Sequence, residues 1–294
     1  MASTAAQRAT LPGGSPADHL DMRDYLKLAD LIGKAVGIKL PVAKHIMVEG
    51  RLRRRLRDLG RPSFDSYCRY LFDEGGLATE LPQLIDVVTT NKTDFFREPE
   101  HFDLLASRLV PDLLAARRGA ASPILKIWSA ACSNGAEPYT IAMVLADLAA
   151  SRKDFRFVVL GTDISSTVLS HAERGVYPRE MMVPVPADKL QRHVMHATVA
   201  SASPEVRVAP ELRRLVKFAR LNLMDKTYPY DRDVDVIFLR NVLIYFEKAD
   251  QEAVIERLIG HLRPRGYLIL GHSESMISNS TAVTQIAPAI FQKR

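Results

Sequence analysis

The sequence is short of the residues that announce several common chemistries. Among 294 residues there are two cysteines, Cys68 and Cys132. They are far apart and lack partners at metal or disulfide spacing, which excludes a disulfide-stapled scaffold and fits a reduced, cytoplasmic compartment. No apolar run reaches the ~20 residues that span a bilayer, so no membrane insertion is expected. The opening "MASTAAQRATLPGGSPADHLDM" lacks the apolar centre of a signal peptide. It reads as a disordered tail over residues 1–20. Gly-Lys-Ser/Thr phosphate loops, C-x-x-C and H-E-x-x-H are missing, as is the glycine fingerprint G-x-G-x-x-G. There is no internal repeat and no RNP aromatic pattern. Nothing asks for a metal, and none is expected.

What remains is an ordinary globular mixture, with 47% hydrophobic and 25% charged residues. The net charge of +6 favours anionic partners, either nucleic acid or an acidic protein surface.

Residues 21–88 have a helical rhythm and predict a small all-helical domain. "MRDYLKLADLIGKAVG" and "VAKHIMVEGRLRRRLRDLG" each end on glycine, a helix stop. In the second, Val48, Leu52, Leu56 and Leu59 recur at helical spacing and predict a core face. "SFDSYCRYLFD" and "GLATELPQLIDVVTT" suggest two more helices. Arg51, Arg53, Arg54, Arg55 and Arg57 crowd the second helix. They form either a solvated face or a docking face for carboxylates or phosphates.

A linker over residues 89–97 leads into a different rhythm over 98–294. "PILKIWSA", "FRFVVLGTD", "VDVIFLRNVLIYF" and "GYLILGHSE" carry apolar strand runs. "AEPYTIAMVLADLAA", "STVLSHAERG" and "KADQEAVIERLIGHL" are helices between them. Alternating strands and helices with apolar strands predict an α/β fold, its mostly parallel sheet covered on both faces. A stretch at about 190–220 breaks this beat with short strands, which predicts a small antiparallel β-subdomain inserted into the α/β domain. Its edge could receive an extended peptide.

In such sheets ligands sit outside the carboxyl ends of the strands. Four polar positions fall there. "SAACSNGAE" is a loop of small residues that opens a helix, with Glu137 just inside it. A carboxylate at a helix start can be a dipole partner. It repels a diphosphate and suits an ammonium group, which points from NAD toward S-adenosylmethionine. Asp163 follows the second strand and can hold ribose hydroxyls or cap the next helix. Asn222 can read an adenine edge or hold a turn. Arg240 and Asn241 interrupt an apolar strand, which is costly unless both are paired. Tyr245 shares their side if the segment is helical, or is a core aromatic with its hydroxyl outward.

Taken with "TTNKTDFFRE", "LGTDIS", "ERGVYP", "FARLNLMD" and "GHSES", these stretches resemble the chemotaxis receptor glutamate O-methyltransferases, the CheR family. The resemblance covers residues 22–291. It implies a Rossmann-like S-adenosylmethionine-dependent methyltransferase domain that forms glutamate methyl esters on the cytoplasmic methylation helices of chemoreceptors, leaving S-adenosylhomocysteine. It implies that Asn91, Thr93 and Arg97 close over the cofactor, that Glu137 binds near its amino acid part, and that Asp163 holds the ribose. Asn222 and Leu223 would sit at the adenine, with Arg240 and Asn241 lining the pocket. Arg97 and Tyr245 would act at the reacting centre. Ala136 stands where the family often has a first acidic residue. The arginine helix would dock the acidic receptor, and a receptor C-terminal peptide is a candidate ligand of the β-subdomain. A monomer is expected, and no nucleic acid partner.

Two rival readings follow from the same residues. A nucleic-acid methyltransferase fits the basic charge, but base amino-group methylation commonly uses an Asn/Asp-Pro-Pro-aromatic run where this chain has "RNVLIY". A non-catalytic S-adenosylmethionine-binding regulator would keep the fold without needing Arg97 and Tyr245.

Overall fold

A computed structural model describes residues 18–117, 122–196, 205–274 and 281–294. Most of the tail expected over 1–20 and Ser275 of "GHSES" lie outside the described residues. The chain divides into two compact units. One holds residues up to Leu31 with Leu40–Val88; the other holds Ile32–Lys39 with Thr89–Arg294.

The first unit is helical: α1 (Met22–Val36, its last turn counted with the second unit), α2 (His45–Asp58), α3 (Phe64–Phe72) and α4 (Leu77–Val88). Apolar residues at helical spacing turn inward. Val48, Leu52 and Leu56 of α2 are buried with Phe64, Tyr67 and Leu71 of α3 and Leu84, Ile85 and Val88 of α4. Leu59, expected in this stripe, is the C-cap of α2 and only half-buried.

The second unit opens with α5 (Glu100–Leu104) and α6 (Val110–Ala115), joined by a π-turn at Leu105–Leu109. Then come β1 (Ile124–Ala130), α7 (Ala136–Arg152), β2 (Arg156–Asp163), α8 (Ser166–Arg174) and β3 (Val176–Pro178). Next are α9 (Ala187–His193), β4 (Val194–His196), β5 (Glu205–Val208), α10 (Pro210–Leu215), β6 (Val216–Arg220) and β7 (Val234–Leu239). Last are α11 (Lys248–His261), β8 (Leu262–Leu270), β9 (Val283–Ala287) and β10 (Ile290–Lys293).

Seven strands form one sheet in the order β6-β2-β1-β7-β8-β10-β9. The first five are parallel, and β10 pairs antiparallel with β8 and β9. Every residue of β7 is buried, as both faces of a covered parallel strand require. The α/β class with an inserted antiparallel sheet is therefore borne out. The insert is placed differently from the expected 190–220: its sheet, β3-β5-β4, takes its first strand from Val176–Pro178. Val216–Arg220 instead pairs with β2 in the large sheet, so the chain re-enters the main fold before residue 220.

The chain leaves β1 toward β2 on one side and returns to β7 on the other. The strand order thus reverses between β1 and β7. Such a reversal is where α/β proteins place their ligand crevice, outside the carboxyl ends of the two strands.

Candidate active site

Five of the nine non-glycine residues with positive φ among the described residues lie on three segments around that crevice: Phe96 and Glu98, Ala131 and Ser133, and Asn241. Such torsions cost about 1 kcal/mol or more each and persist only where the surroundings enforce them. In the loop after β1, Gly135 has φ 89°, and a Cβ there would meet Ala172 Cβ at 2.7 Å. The loop is pressed against α8 and tolerates no side chain at that point.

Glu137, in the first turn of α7, accepts a hydrogen bond from Ser129 Oγ at 2.7 Å on one oxygen. Its other oxygen accepts Arg240 Nη1 at 3.0 Å. Arg240 follows the last residue of β7, and its side chain is 2% exposed. Arg240 Nη2 donates to the Arg97 carbonyl and to Glu98 Oε2, the latter at 3.1 Å. Glu98 Oε1 accepts Asn241 Nδ2 at 3.1 Å. Arg240 and Asn241 are thus both paired, as burial demands. Glu274 completes the loop. Its carboxylate accepts the backbone N–H of Asn241 (2.6 Å), Leu243 (2.7 Å) and Gly271 (2.9 Å). A Cβ on Gly271 would fall 2.8 Å from Glu274 Oε2, so glycine leaves room for this carboxylate.

One arginine therefore faces two carboxylates, and the cluster carries a net negative charge when both are ionised. Burial pushes the Glu137 carboxyl above its ordinary value, against the pull of Arg240. Burial also acts on Glu98, but Asn241 and Arg240 outweigh it and hold that carboxyl below its ordinary value. Beside them His101, buried in α5, is pushed down to about 4 by burial and then by Arg240.

Asp163, the last residue of β2, is also buried. It accepts Ser133 N at 2.8 Å and Ser165 N at 3.0 Å, while Ser165 itself caps α8. The Asn91 carbonyl accepts Ser133 Oγ at 2.9 Å, so linker, first loop and second strand end are tied in series. Thr93 is half-buried nearby in sequence, and Arg97 Nη1 reaches the Lys92 carbonyl at 3.4 Å.

Asn222 and Leu223 follow β6. Both ends of the Asn222 amide are engaged: Oδ1 accepts Met224 N at 3.0 Å and Nδ2 donates to the Ala35 carbonyl at 2.8 Å. It holds a turn. The buried Leu223 keeps its carbonyl on Tyr228 Oη at 2.7 Å. Tyr245 is half-buried and closes a 3-10 turn, Leu243–Tyr245. The α-helical spacing from Asn241 does not apply, because Asn241 has φ 59° and ends the strand with a sharp turn.

Sequence reasoning gave no role to Glu98 or Glu274, and counted Ser129 only among the small residues that leave room for a ligand. The available signal was the demand that a buried Arg-Asn pair find acidic partners; Glu98 and Glu274 stood in the quoted "FFRE" and "GHSES".

Residues 91–290 match the family described as CheR methyltransferase, SAM binding domain. Residues 23–89 match its companion, CheR methyltransferase, all-alpha domain. The chain belongs to the CheR methyltransferase family. It is 39% identical over 274 residues to the chemotaxis protein methyltransferase of Escherichia coli, covering 90% of this chain and 92% of that one. Chemotaxis protein methyltransferase 2 of Pseudomonas aeruginosa is 37% identical over 278 residues, with 95% of each chain covered. The chemotaxis protein methyltransferase of Borreliella burgdorferi is 34% identical over 268 residues, covering 91% and 93%. In this CheR chain the α/β unit is the family's S-adenosylmethionine-binding domain, and the crevice at β1 and β7 is its candidate active site. No described helix is long and apolar enough to cross a membrane.

Proposed function

We propose that this CheR protein methylates glutamate side chains on the cytoplasmic helices of chemoreceptors, forming methyl esters in chemotaxis. The observation that carries the chemistry is the pair of part-buried carboxylates, Glu98 and Glu137, sharing the guanidinium of the buried Arg240. Their surplus negative charge suits a ligand with ammonium and sulfonium groups and disfavours a diphosphate. S-adenosylmethionine fits that donor set. When bound it supplies an electrophilic methyl carbon and leaves as S-adenosylhomocysteine.

Glu137 would hold the ammonium, with Ser129 and Arg240 fixing its rotamer. Asp163 would hold the ribose hydroxyls. Asn222 would act through the turn it stabilises, with Leu223 and that turn bounding the adenine. Asn91, Thr93 and Arg97 would close over the cofactor, and Asn241 would line the pocket. An acceptor glutamate is already ionised at neutral pH, with a reference pKa of about 4.3, and needs no base. The protein then contributes proximity and orientation. We assign the orienting of the acceptor carboxylate to the Tyr245 hydroxyl and the Arg97 guanidinium.

The helical unit would supply the receptor contact. Arg51 donates to the Val88 carbonyl at 2.8 Å, Arg53 to Glu49, and Arg55 to Glu80, so Arg54 and Arg57 are the two of the five that are exposed residues, available to an acidic partner. The edges of the β3-β5-β4 sheet are where a receptor C-terminal peptide would add a strand.

The test is transfer of a labelled methyl group to a chemoreceptor cytoplasmic fragment in the presence of competing RNA. Base-labile label on receptor glutamates is the expected result. Label on RNA, or cofactor binding with no transfer to any receptor, would overturn the reading.

A further inference from the structure

Glu98 also belongs to a second group of chemistry-bearing side chains, whose two histidines the proposed methyl transfer leaves without a role. Glu98 and His101 flank the first turn of α5, three residues apart, and so face the same side. His272 comes in from the 3-10 turn after β8 (His272–Glu274). One ligand atom from each of the three lies within 4.8 Å of the other two. Glu98 Oε2 is 3.5 Å from His101 Nδ1 and 4.0 Å from His272 Nε2. Glu100 Oε1 is 2.9 Å from His272 Nε2 and stands ready as a fourth donor.

A separate observation asks for a ligand here. The His101 side chain is 2% exposed, yet neither ring nitrogen has a hydrogen-bond partner among the described residues. Either tautomer leaves a donor and an acceptor unmet in the interior, and buried polar groups rarely go without partners. The His101 and His272 rings meet edge to face at 4.8 Å, which keeps the two imidazoles on one locus.

We propose that Glu98, His101 and His272, with Glu100, form a binding site for a divalent first-row transition ion of the zinc class. Two imidazoles and carboxylate oxygens are the donor set for such an ion, not for magnesium or calcium. Ligands at about 2.0–2.2 Å from zinc stand about 3.3 Å apart in a tetrahedron; the 3.5 Å separation nearly meets this, the wider ones, up to 4.8 Å, need to contract, and the 2.9 Å Glu100–His272 pair needs to widen slightly. His272, 48% exposed, is the member free to swing inward, and its side is the entry path. The charge allows it. Glu98, Glu100 and Glu137 against Arg240 leave a local surplus of two negative charges when ionised. Because Glu98 Oε2 also holds Arg240, the ion competes with the guanidinium for that oxygen. Metal occupancy is thereby coupled to the geometry of the neighbouring crevice.

The full-length chain, stripped with chelator, should be titrated with Co²⁺, and Zn²⁺ affinity then measured against a chromophoric chelator. One equivalent of tightly held ion with tetrahedral cobalt absorption is the expected result, with no response to Mg²⁺. His272→Ala should weaken binding about tenfold or more. His101→Phe should do the same, and if it fails to fold the half-exposed His272 still decides. Absence of a one-equivalent site, or equal affinity in folded His272→Ala, overturns the proposal. These readouts are independent of any methyl acceptor.

Discussion

Two buried ion pairs, one in each unit, look alike and are built to opposite ends. In the helical unit Arg55 meets Glu80 through two parallel hydrogen bonds of 2.7 and 2.6 Å, and Tyr67 Oη adds a third at 3.1 Å. One positive charge meets one negative charge, the Glu80 side chain is 2% exposed, and nothing is left to bind. In the α/β unit one guanidinium is split between two carboxylates, and Arg240 Nε has no partner among the described residues. The first arrangement is closed and holds helices together. The second stays electrostatically open, and the surrounding positive-φ residues show that the chain bears strain to keep it so.

The sharpest way to break this contrast is to remove one carboxylate from each. Glu80→Gln strips Arg55 of its salt-bridge partner and leaves a part-buried cation uncompensated. Breaking such a pair costs about 3–5 kcal/mol, a large share of the stability of a domain. Urea unfolding should show the loss directly. A change under about 1 kcal/mol would remove the distinction between the two units.

Glu137→Gln should do the reverse, sparing the fold and emptying the function. Arg240 keeps Glu98, so the cluster becomes neutral where it had been negative. A hydrogen bond to a charged group contributes about 1.5–3 kcal/mol, so S-adenosylhomocysteine affinity should fall about tenfold to a hundredfold. Calorimetric titration measures it. Unchanged affinity would mean that Glu137 serves Arg240 alone.

The same contrast explains how much was readable in advance. Alternating strands and helices, the small-residue loop and the acid behind it are local patterns, and they sufficed for the fold and for the edges of the site. So did the demand that Arg240 and Asn241 find partners. The partners themselves are set by chain closure: Glu98 and Glu274 reach that loop from distant segments. The arginine helix shows the same limit. The sequence left its five arginines as a solvated or a docking face, and helical spacing does not reveal that Arg55 is absorbed by a glutamate 25 residues away. The His101 and His272 pair was invisible, because no ligand-spacing pattern joins residues brought together by α5 and the end of β8. Whether the segment past Asn241 is helical was left open by the sequence; it is a 3-10 turn, and Glu274 collects the backbone N–H groups of Asn241, Leu243 and Gly271.

The pH dependence sharpens the comparison further, because two signs must oppose. Burial raises the Glu137 pKa above its ordinary value. The folded chain therefore holds that proton more tightly than the unfolded chain. The stability contribution is complete below the unfolded value and is lost as pH rises through the folded one. Cofactor affinity runs the other way, since protonated Glu137 is neutral and holds no ammonium. Affinity should fall as pH is lowered, starting above the ordinary carboxylate range, with a proton released on binding where Glu137 is protonated in the free chain. Glu137→Gln should flatten that part of the profile. A wild-type profile already flat there would separate Glu137 from the ligand.

The smallest effect tests the exposed charges. Reversing Arg55 cannot probe docking, because it would break the Glu80 pair and unfold the surface being tested. Arg54 and Arg57 are exposed on the same helix and carry no such risk. Exposed charges contribute about 0.2–1 kcal/mol each and act mainly on association. Arg54→Glu with Arg57→Glu should therefore weaken receptor binding several-fold at low salt while leaving the urea midpoint in place. At about 1 M salt, where the screening length is ~3 Å, the difference should vanish. Binding that is indifferent to the double reversal at low salt would make this helix a solvated face, with its other three arginines serving the helical unit alone.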